Sequence, residues 1–260
     1  MRPLRLFLVS SVFAYRALFN WLDPAAYLFQ KTTFPLLQLT FFAFVGSFGG
    51  AQPVSFYLVG NAMLVTYQAM FSITTAISGE RWQGTLPYVV GSPANRVALF
   101  FGRGAIHVVD GMLDVIIALA FAAFVFGLDL SHATWPGIVL ALIVASAGAA
   151  AIGLFLGSVA YLVLDAAFLA NTAMFALLLL TGANVPLAEL PSWAQWISWS
   201  IPLTRTVAVS RLYVNGAELV AGLPLLAQDF ALAIAYALAG VALFGWIETR
   251  ARRQGTLEGF

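Results

Sequence analysis

Residues 54–96 read VSFYLVGNAMLVTYQAMFSITTAISGERWQGTLPYVVGSPANR, a long apolar run that ends at a charged insert containing glycine and proline. An apolar run of about 20 residues is long enough to cross the hydrocarbon core of a bilayer as a helix. A further apolar run follows the insert. This stretch therefore predicts two membrane spans joined by a polar, structured connection.

The composition of the whole chain agrees with a membrane protein. Hydrophobic residues make up 62% of the chain and charged residues 9%, against roughly 45–50% and about 25% in a soluble domain. The formal net charge of +1 provides no basic field for a nucleic-acid partner. Because the chain has no cysteine and only His107 and His132, far apart in sequence, we expect no metal site.

Six apolar runs are candidates for transmembrane helices. They cover residues 32–50, 54–77, 104–127, 135–163, 166–185 and 225–247. The apolar run at 194–203 is too short to cross and ends at Pro202, which predicts a re-entrant or interfacial segment. The fold class we predict is an all-α membrane protein with six transmembrane helices, an N-terminal interfacial helix, a cytoplasmic helix in the insert and an extracellular re-entrant helical hairpin.

We predict one transmembrane domain over residues 1–260. Its parts are an interfacial helix at 1–30, spans one and two at 32–78, the insert region at 79–103, spans three to five at 104–185, an outer hairpin at 186–224, span six at 225–247 and a cytoplasmic tail at 248–260.

The distribution of basic residues predicts the orientation. With six spans, ten of the twelve Lys and Arg residues fall on one side, and only Arg205 and Arg211 fall on the other. The positive-inside rule makes the first side cytoplasmic. We therefore expect a multi-pass protein with both termini in the cytoplasm. We assign it to the plasma (inner) membrane of a bacterium as a further expectation.

The N-terminal segment allows two interpretations. MRPLR followed by LFLVSSVFA has the pattern of a signal peptide. However, Arg16, Asn20 and Asp23 continue at helical spacing among apolar residues, which favours a retained helix lying in the cytoplasmic interface.

The polar insert has the signals of a short helix on a rigid mount. Gly84 permits a sharp turn, Thr85 can cap a helix, and Ser92-Pro93 pairs an N-cap with a proline at the first helical position. By shape alone the insert is equally compatible with an ordinary cytoplasmic loop and with a docking element for a cytosolic partner.

Two motifs resemble those of a known family. Glu80-Arg81-x-x-Gly84-Thr85-Leu86, followed by Ser92-Pro93-x-x-Arg96, resembles the signature of permease subunits in the ABC-2 family of ABC exporters. Downstream, Pro186-x(4)-Pro191-x-Trp193, then Pro202-Leu203-Thr204 and Arg211, resembles the outer hairpin of that family. The order of the two motifs, the length and the number of spans also agree.

The resemblance implies a pump driven by ATP that is hydrolysed on another subunit. The chain has no GxxxxGK[ST] motif and its only lysine is Lys31, so it is not expected to be an enzyme or to hold a cofactor. ATP and Mg would be bound by a separate ABC ATPase. The family's coupling helix would correspond to a set of residues that contact this ATPase, namely Glu80, Arg81, Trp82, Gly84, Thr85, Leu86, Ser92, Pro93 and Arg96. A second permease, either an identical copy or a sister chain, would complete the pathway.

Polar side chains within the spans are candidates for the substrate pathway. The second span carries Asn61, Tyr67, Gln68, Ser72 and Thr75, and the fifth carries Asn171 and Thr172. Polar groups at membrane depth normally face protein or a cavity. The resemblance places these two spans beside the pathway, whereas interhelical hydrogen bonding is the alternative we favour on general grounds.

The third span begins with a second polar face. Arg103, His107, Asp110 and Asp114 are spaced by four, three and four residues, which places them on one side of a helix. A proton relay and a structural seam are both compatible with this spacing. We favour the seam, braced against Arg81, Arg96 or the N-terminal helix.

The predicted function is the permease of an ABC exporter for a small amphipathic compound such as a drug or antibiotic. A lipid-linked glycan or a lipid is the alternative cargo. A proton-coupled secondary transporter that uses Asp110 and Asp114 is a further alternative, although internal repeats are not evident. A membrane-embedded enzyme is disfavoured because the polar cluster lacks a nucleophile or a metal set.

Overall fold

The computed structural model describes Arg5, residues 9–13, Arg16 and residues 23–49, 51–82, 96–163 and 165–254. All regular structure in these residues is helical, as predicted. The helices are α1 Pro24–Gly49, α2 Val54–Leu64, α3 Tyr67–Trp82, α4 Arg96–Phe126, α5 Trp135–Val159, α6 Ala166–Leu180, α7 Ser192–Trp199, α8 Thr204–Val214 and α9 Leu219–Gln254.

Five helical stretches in the described residues are long and apolar enough to cross a membrane. They are Pro24–Gly49, Val54–Gly79, Gly104–Phe126, Trp135–Val159 and Leu219–Ile247. The predicted fifth span is represented by α6, which has only 15 residues. At 1.5 Å per residue this helix is about 22 Å long, shorter than the ~30 Å hydrocarbon core. The chain is thus a multi-pass helical membrane protein with five full-length candidate spans.

The first long helix begins earlier than the sequence analysis placed it. Residues 24–30, assigned above to an interfacial helix, form the first two turns of α1. Asp23 accepts a hydrogen bond from the backbone N–H of Ala25 at 2.7 Å, and Pro24 occupies the first helical position. An aspartate followed by proline is a helix start signal, and it fixes this boundary.

The second predicted span consists of two helices. A turn at Val65 and Thr66 separates α2 from α3, and the hydroxyl of Thr66 donates to the carbonyl oxygen of Met63 at 2.9 Å. The N–H groups of Gln68 and Ala69 bond three residues back rather than four. A side chain that bonds the backbone competes with the regular helical pattern, which explains a local break here.

Helix α5 lies at the centre of the fold, packed against α3, α4, α8 and α9. Two of its glycines face α3. A Cβ added to Gly153 would lie 2.8 Å from the carbonyl oxygen of Met70, and one added to Gly157 would lie 2.8 Å from Cδ1 of Ile77. Ala145 and Ala149, at the same four-residue spacing, are fully buried as well. This series of small residues therefore packs within the chain, where small side chains allow close helix approach.

A helical hairpin follows α6. Gly182 adopts a φ of 75°, which suits glycine and turns the chain out of α6. A short 3-10 turn at Leu187–Glu189 precedes α7, and α8 leads into α9. The segment is helical, whereas its re-entrant arrangement stays a prediction. Helix α9 starts at Leu219, ahead of the predicted position 225.

Candidate functional site

The predicted coupling residues fall at the edge of the described part of the chain. Glu80, Arg81 and Trp82 form the end of α3, and Arg96 begins α4. Gly84, Thr85, Leu86, Ser92 and Pro93 lie outside the described residues. The contacts of the coupling element therefore stay a prediction.

The polar seam of α4 faces α1. Lys31 Nζ lies 2.7 Å from Oδ2 of Asp110 and 2.8 Å from Oδ2 of Asp114, so one ammonium bridges two carboxylates. Side-chain exposure is 12% for Lys31, 8% for Asp110 and 1% for Asp114. Charges removed from water require such pairing, because an isolated buried charge is strongly unfavourable.

Two further side chains complete this cluster. The hydroxyl of Tyr27, one turn before Lys31, donates to Oδ1 of Asp110. His107 is fully buried, and its Nδ1 has no hydrogen-bond partner in the part of the chain that the structure describes. Arg103 lies in the first turns of α4, and the structure describes only its backbone. The described partner of the seam is therefore α1, whose first two turns belong to the segment that was predicted to be an interfacial helix.

Lys31 and Tyr27 are the residues of this cluster that the sequence analysis did not assign to a site. Lys31 entered only the count of basic charges and the argument that no P-loop lysine is present. A signal was nevertheless present, since Tyr27 and Lys31 are four residues apart, as are Asp110 and Asp114. Residues four positions apart lie on the same face of a helix. Two apolar helices that each carry such a polar pair favour a contact between these two faces.

The polar stripe of the second span is divided between buried and partly exposed positions. Asn61 is fully buried, accepts a hydrogen bond from Gln38 of α1 at 3.1 Å and donates to Oδ1 of Asn184 at 2.7 Å. Tyr67 is also buried, while Gln68, Ser72 and Thr75 are half-buried. The Asn61 contacts favour the interhelical hydrogen-bonding interpretation for that residue.

The two polar residues of α6 have a different environment. Asn171 and Thr172 are exposed on the face that also carries Phe168 and Phe175. The hydroxyl of Thr172 donates to the carbonyl oxygen of Phe168 within its own helix. This face is uncovered in the single chain, although α6 packs through its other side against α3.

The predicted hairpin residues have distinct roles. Pro191 immediately precedes α7, and Trp193 exposes 65% of its surface. The carbonyl oxygen of Pro202 packs closely against Gly148 of α5, where a Cβ would collide with it. The exposed tryptophans of α7 are compatible with the predicted position at a membrane interface.

Arg211 joins three parts of the fold. Its Nη2 donates to the carbonyl oxygens of Gly182 and Ala183, each at 2.9 Å, and to that of Phe56 at 3.1 Å. Its Cζ also lies 3.5 Å from the ring centroid of Phe56, a cation–π contact. Burial lowers the pKa of Arg211 to about 10, so the guanidinium remains charged at neutral pH.

Asp229 of α9 is a site residue that the sequence analysis missed. It is fully buried, and Oδ2 accepts hydrogen bonds from the N–H and hydroxyl of Thr206 at 2.7 and 2.8 Å. Its Oδ1 lies 3.1 Å from Nη1 of Arg205. Leu203 at the N-cap of α8 offers no side-chain acceptor, so Asp229 supplies from another helix the cap that α8 lacks.

Metal chemistry receives no support from the described residues. No group of three or more His, Cys, Asp or Glu side chains among them could hold a metal ion. Among these residues, Asp110 and Asp114 pair with Lys31, and Asp229 pairs with Arg205.

Comparison with known proteins gives one match. The family model described as ABC-2 type transporter covers residues 9–213, which includes α1 to α7 and nearly all of α8. No curated protein matches the chain.

Proposed function

The chain belongs to the ABC-2 type transporter family, and we propose that it is the permease subunit of an ATP-driven exporter for a small amphipathic compound. As a family member it is the membrane component of an ABC transporter and not the nucleotide-binding one. The sequence agrees, because it contains no P-loop motif. In the proposal, a separate ABC ATPase binds ATP and Mg, and the segment from Glu80 to Arg96 docks on it.

The observation that carries the pathway proposal is the contrast between Asn61 and Asn171. Asn61 is enclosed by hydrogen-bonding partners from two other segments, whereas Asn171 is exposed on α6. An exposed amide within a membrane helix is unfavourable against lipid, so it is expected to face water or protein. We therefore propose that the face of α6 with Asn171 and Thr172 lines the pathway opposite a second permease.

The chemistry of this face suggests the cargo class. Phe168 and Phe175 flank the two polar residues. Apolar rings with a few polar groups are typical of sites that bind small amphipathic molecules. Six spans, with α6 as the short fifth one and the hairpin on the outer side, complete the proposed topology in the bacterial inner membrane.

The experiment is to co-purify the chain with its ATPase, reconstitute both in lipid nanodiscs, and measure ATP hydrolysis with a panel of hydrophobic drugs and with a glycolipid. Stimulation by drugs is expected, and Asn171→Leu should raise the half-stimulating concentration. The matched control is Leu179→Ala, on the same exposed face but without polar chemistry. Stimulation by the glycolipid alone would replace the cargo class with a lipid-linked one, and the absence of any co-purifying ATPase would refute the proposal.

Proton coupling through Asp110 and Asp114 agrees less well with the contacts of these two residues than a structural role does. Both carboxylates are engaged by the same lysine. Uptake or export driven by a pH gradient in vesicles without ATP would restore that alternative.

A further inference from the structure

Arg211 draws its hydrogen-bond acceptors from two separate spans. Phe56 lies near the start of α2, and Gly182 and Ala183 lie just beyond the end of α6. These are the ends of the second and fifth spans that face the hairpin. Arg211 itself is on α8 of the hairpin, so one side chain connects all three elements.

The acceptors are main-chain carbonyl oxygens at the ends of helices or in a turn. Charge-assisted hydrogen bonds of this kind are roughly twice as strong as neutral ones. The planar guanidinium presents its donors in a fixed fork, and the ring of Phe56 stacks against it. An arginine therefore fits this position better than a flexible lysine, which donates from a single point.

The backbone of α2 leaves room for this side chain. A Cβ added to Gly60 would collide with Nη2 of Arg211, and it would also lie 2.7 Å from the carbonyl oxygen of Ala183. Glycine at this position thus lets the guanidinium and the turn after α6 approach α2 together. Substituting Gly60 offers a way to disturb the contact without altering the arginine.

We propose that Arg211, with the carbonyl oxygens of Phe56, Gly182 and Ala183, forms an outer latch that holds the exit ends of the second and fifth spans together. This inference rests on the proposed function, in which these two spans line the pathway. The latch must release, or its three elements must move as one body, when cargo leaves. Arg211 is accordingly a positioning residue and does not itself need to contact cargo.

The other end of α8 is fixed to the last span. Asp229 of α9 accepts a hydrogen bond from the N–H of Thr206 and forms an ion pair with Arg205. These contacts attach the first turn of α8 to α9. Helix α8 is then a strut between the last span at one end and the exit ends of the second and fifth spans at the other. Movement of α9 would be transmitted to the latch through this strut.

The test measures a distance rather than transport. The chain has no cysteine, so cysteines introduced at the exposed residues Ser55 of α2 and Leu179 of α6 accept spin labels without competing sites. Dipolar electron paramagnetic resonance on the full-length labelled chain in nanodiscs then reports the separation of the two span ends. The wild-type background is expected to give one narrow distribution.

Arg211→Gln should broaden the distribution toward longer distances. The population at longer separation is expected to increase about tenfold or more, the change that loss of one hydrogen bond to a charged donor makes in an equilibrium. Arg211→Lys, which keeps the charge but not the fork, should give an intermediate distribution. Leu212→Ala, at the neighbouring exposed position on α8, is the matched control and should leave the distribution unchanged.

Gly60→Ala provides an independent perturbation if the arginine variants do not fold. It should also shift the distribution toward longer distances, because the added Cβ occupies the space of the guanidinium. Distributions for Arg211→Gln or Gly60→Ala that superimpose on the wild type would overturn the latch. The distance measurement needs neither ATPase nor cargo, so it tests the latch independently of the proposed function. If the distances shift as expected but no ATPase co-purifies with the chain, the proposed function is refuted and the latch stands.

Discussion

Replacing Lys31 by methionine should strongly destabilise the protein. Lys31 is the cation for both Asp110 and Asp114, at 2.7 and 2.8 Å, and it also donates to the carbonyl oxygen of Asp110 at 3.2 Å. Among the described residues, its removal leaves the two buried carboxylates with no cation in contact. Breaking a buried ion pair by removing one partner costs about 3–5 kcal/mol.

The assay is the free energy of unfolding, obtained by titrating the protein in mixed micelles with a denaturing detergent while following tryptophan fluorescence. Arg250→Gln removes an exposed cation and is the matched control, with an expected change within about 0.5 kcal/mol. The triple variant Lys31→Met, Asp110→Asn, Asp114→Leu removes all three charges together. It should recover to within about 1–2 kcal/mol of the wild type, because replacing a whole buried ion cluster by neutral groups is often close to neutral.

The reasoning would be refuted by a Lys31→Met variant as stable as Arg250→Gln. It would equally be refuted by a triple variant as unstable as the single one, because the destabilisation would then come from lost packing and not from unpaired charge.

Three further predictions use the same unfolding measurement. Gly153→Ala should lower the free energy of unfolding by about 1–3 kcal/mol, because its new methyl group would collide with a backbone carbonyl oxygen of α3. Gly245→Ala is the control: no atom lies within 4 Å of the added methyl group, so its effect should be near neutral or slightly stabilising. Asp229→Ala should lower the free energy of unfolding by about 3–5 kcal/mol, since it removes the cap of α8 and the carboxylate partner of the largely buried Arg205. A decrease no larger than that of a surface substitution would contradict the capping role. Asn61→Leu should lower the free energy of unfolding by about 1–3 kcal/mol, because the amides of Gln38 and Asn184 lose their hydrogen bonds to Asn61. Asn171→Leu should leave the free energy of unfolding unchanged and alter only cargo-stimulated ATP hydrolysis. Equal destabilisation by both variants would contradict the different roles proposed for Asn61 and Asn171.

The sequence predicted the elements of this fold well where the signal is local. Apolar runs near 20 residues identified the long membrane helices, because the thickness of the bilayer fixes the length that can cross it. The pattern around Pro191 and Pro202 indicated a short helical segment, and the motifs at Glu80 and Pro186 indicated the family that the comparison then showed. Spacing also placed His107, Asp110 and Asp114 on one helical face, and all three are buried.

Boundaries were less well determined. The break at Val65 and Thr66 has no glycine or proline to announce it, so a continuous apolar run was read as one helix. The early start of α1 at Pro24 was obscured because residues 24–30 directly follow Arg16, Asn20 and Asp23, whose helical spacing suits an interfacial helix. In both cases local propensity permitted two structures, and long-range packing selected one.

By itself, the sequence determined that the chain is a helical membrane protein of this family and which positions are polar in the second, third and fifth spans. Only the tertiary structure decided which polar faces meet: Lys31 with Asp110 and Asp114, Asn61 with Gln38 and Asn184, Asp229 with the start of α8, and Arg211 with two spans at once. The physical reason is that helical periodicity fixes the direction of a side chain about its own axis, whereas its partner depends on which helix packs there. That choice is made by contacts between residues separated by 23 to 155 positions along the chain, which no local pattern encodes.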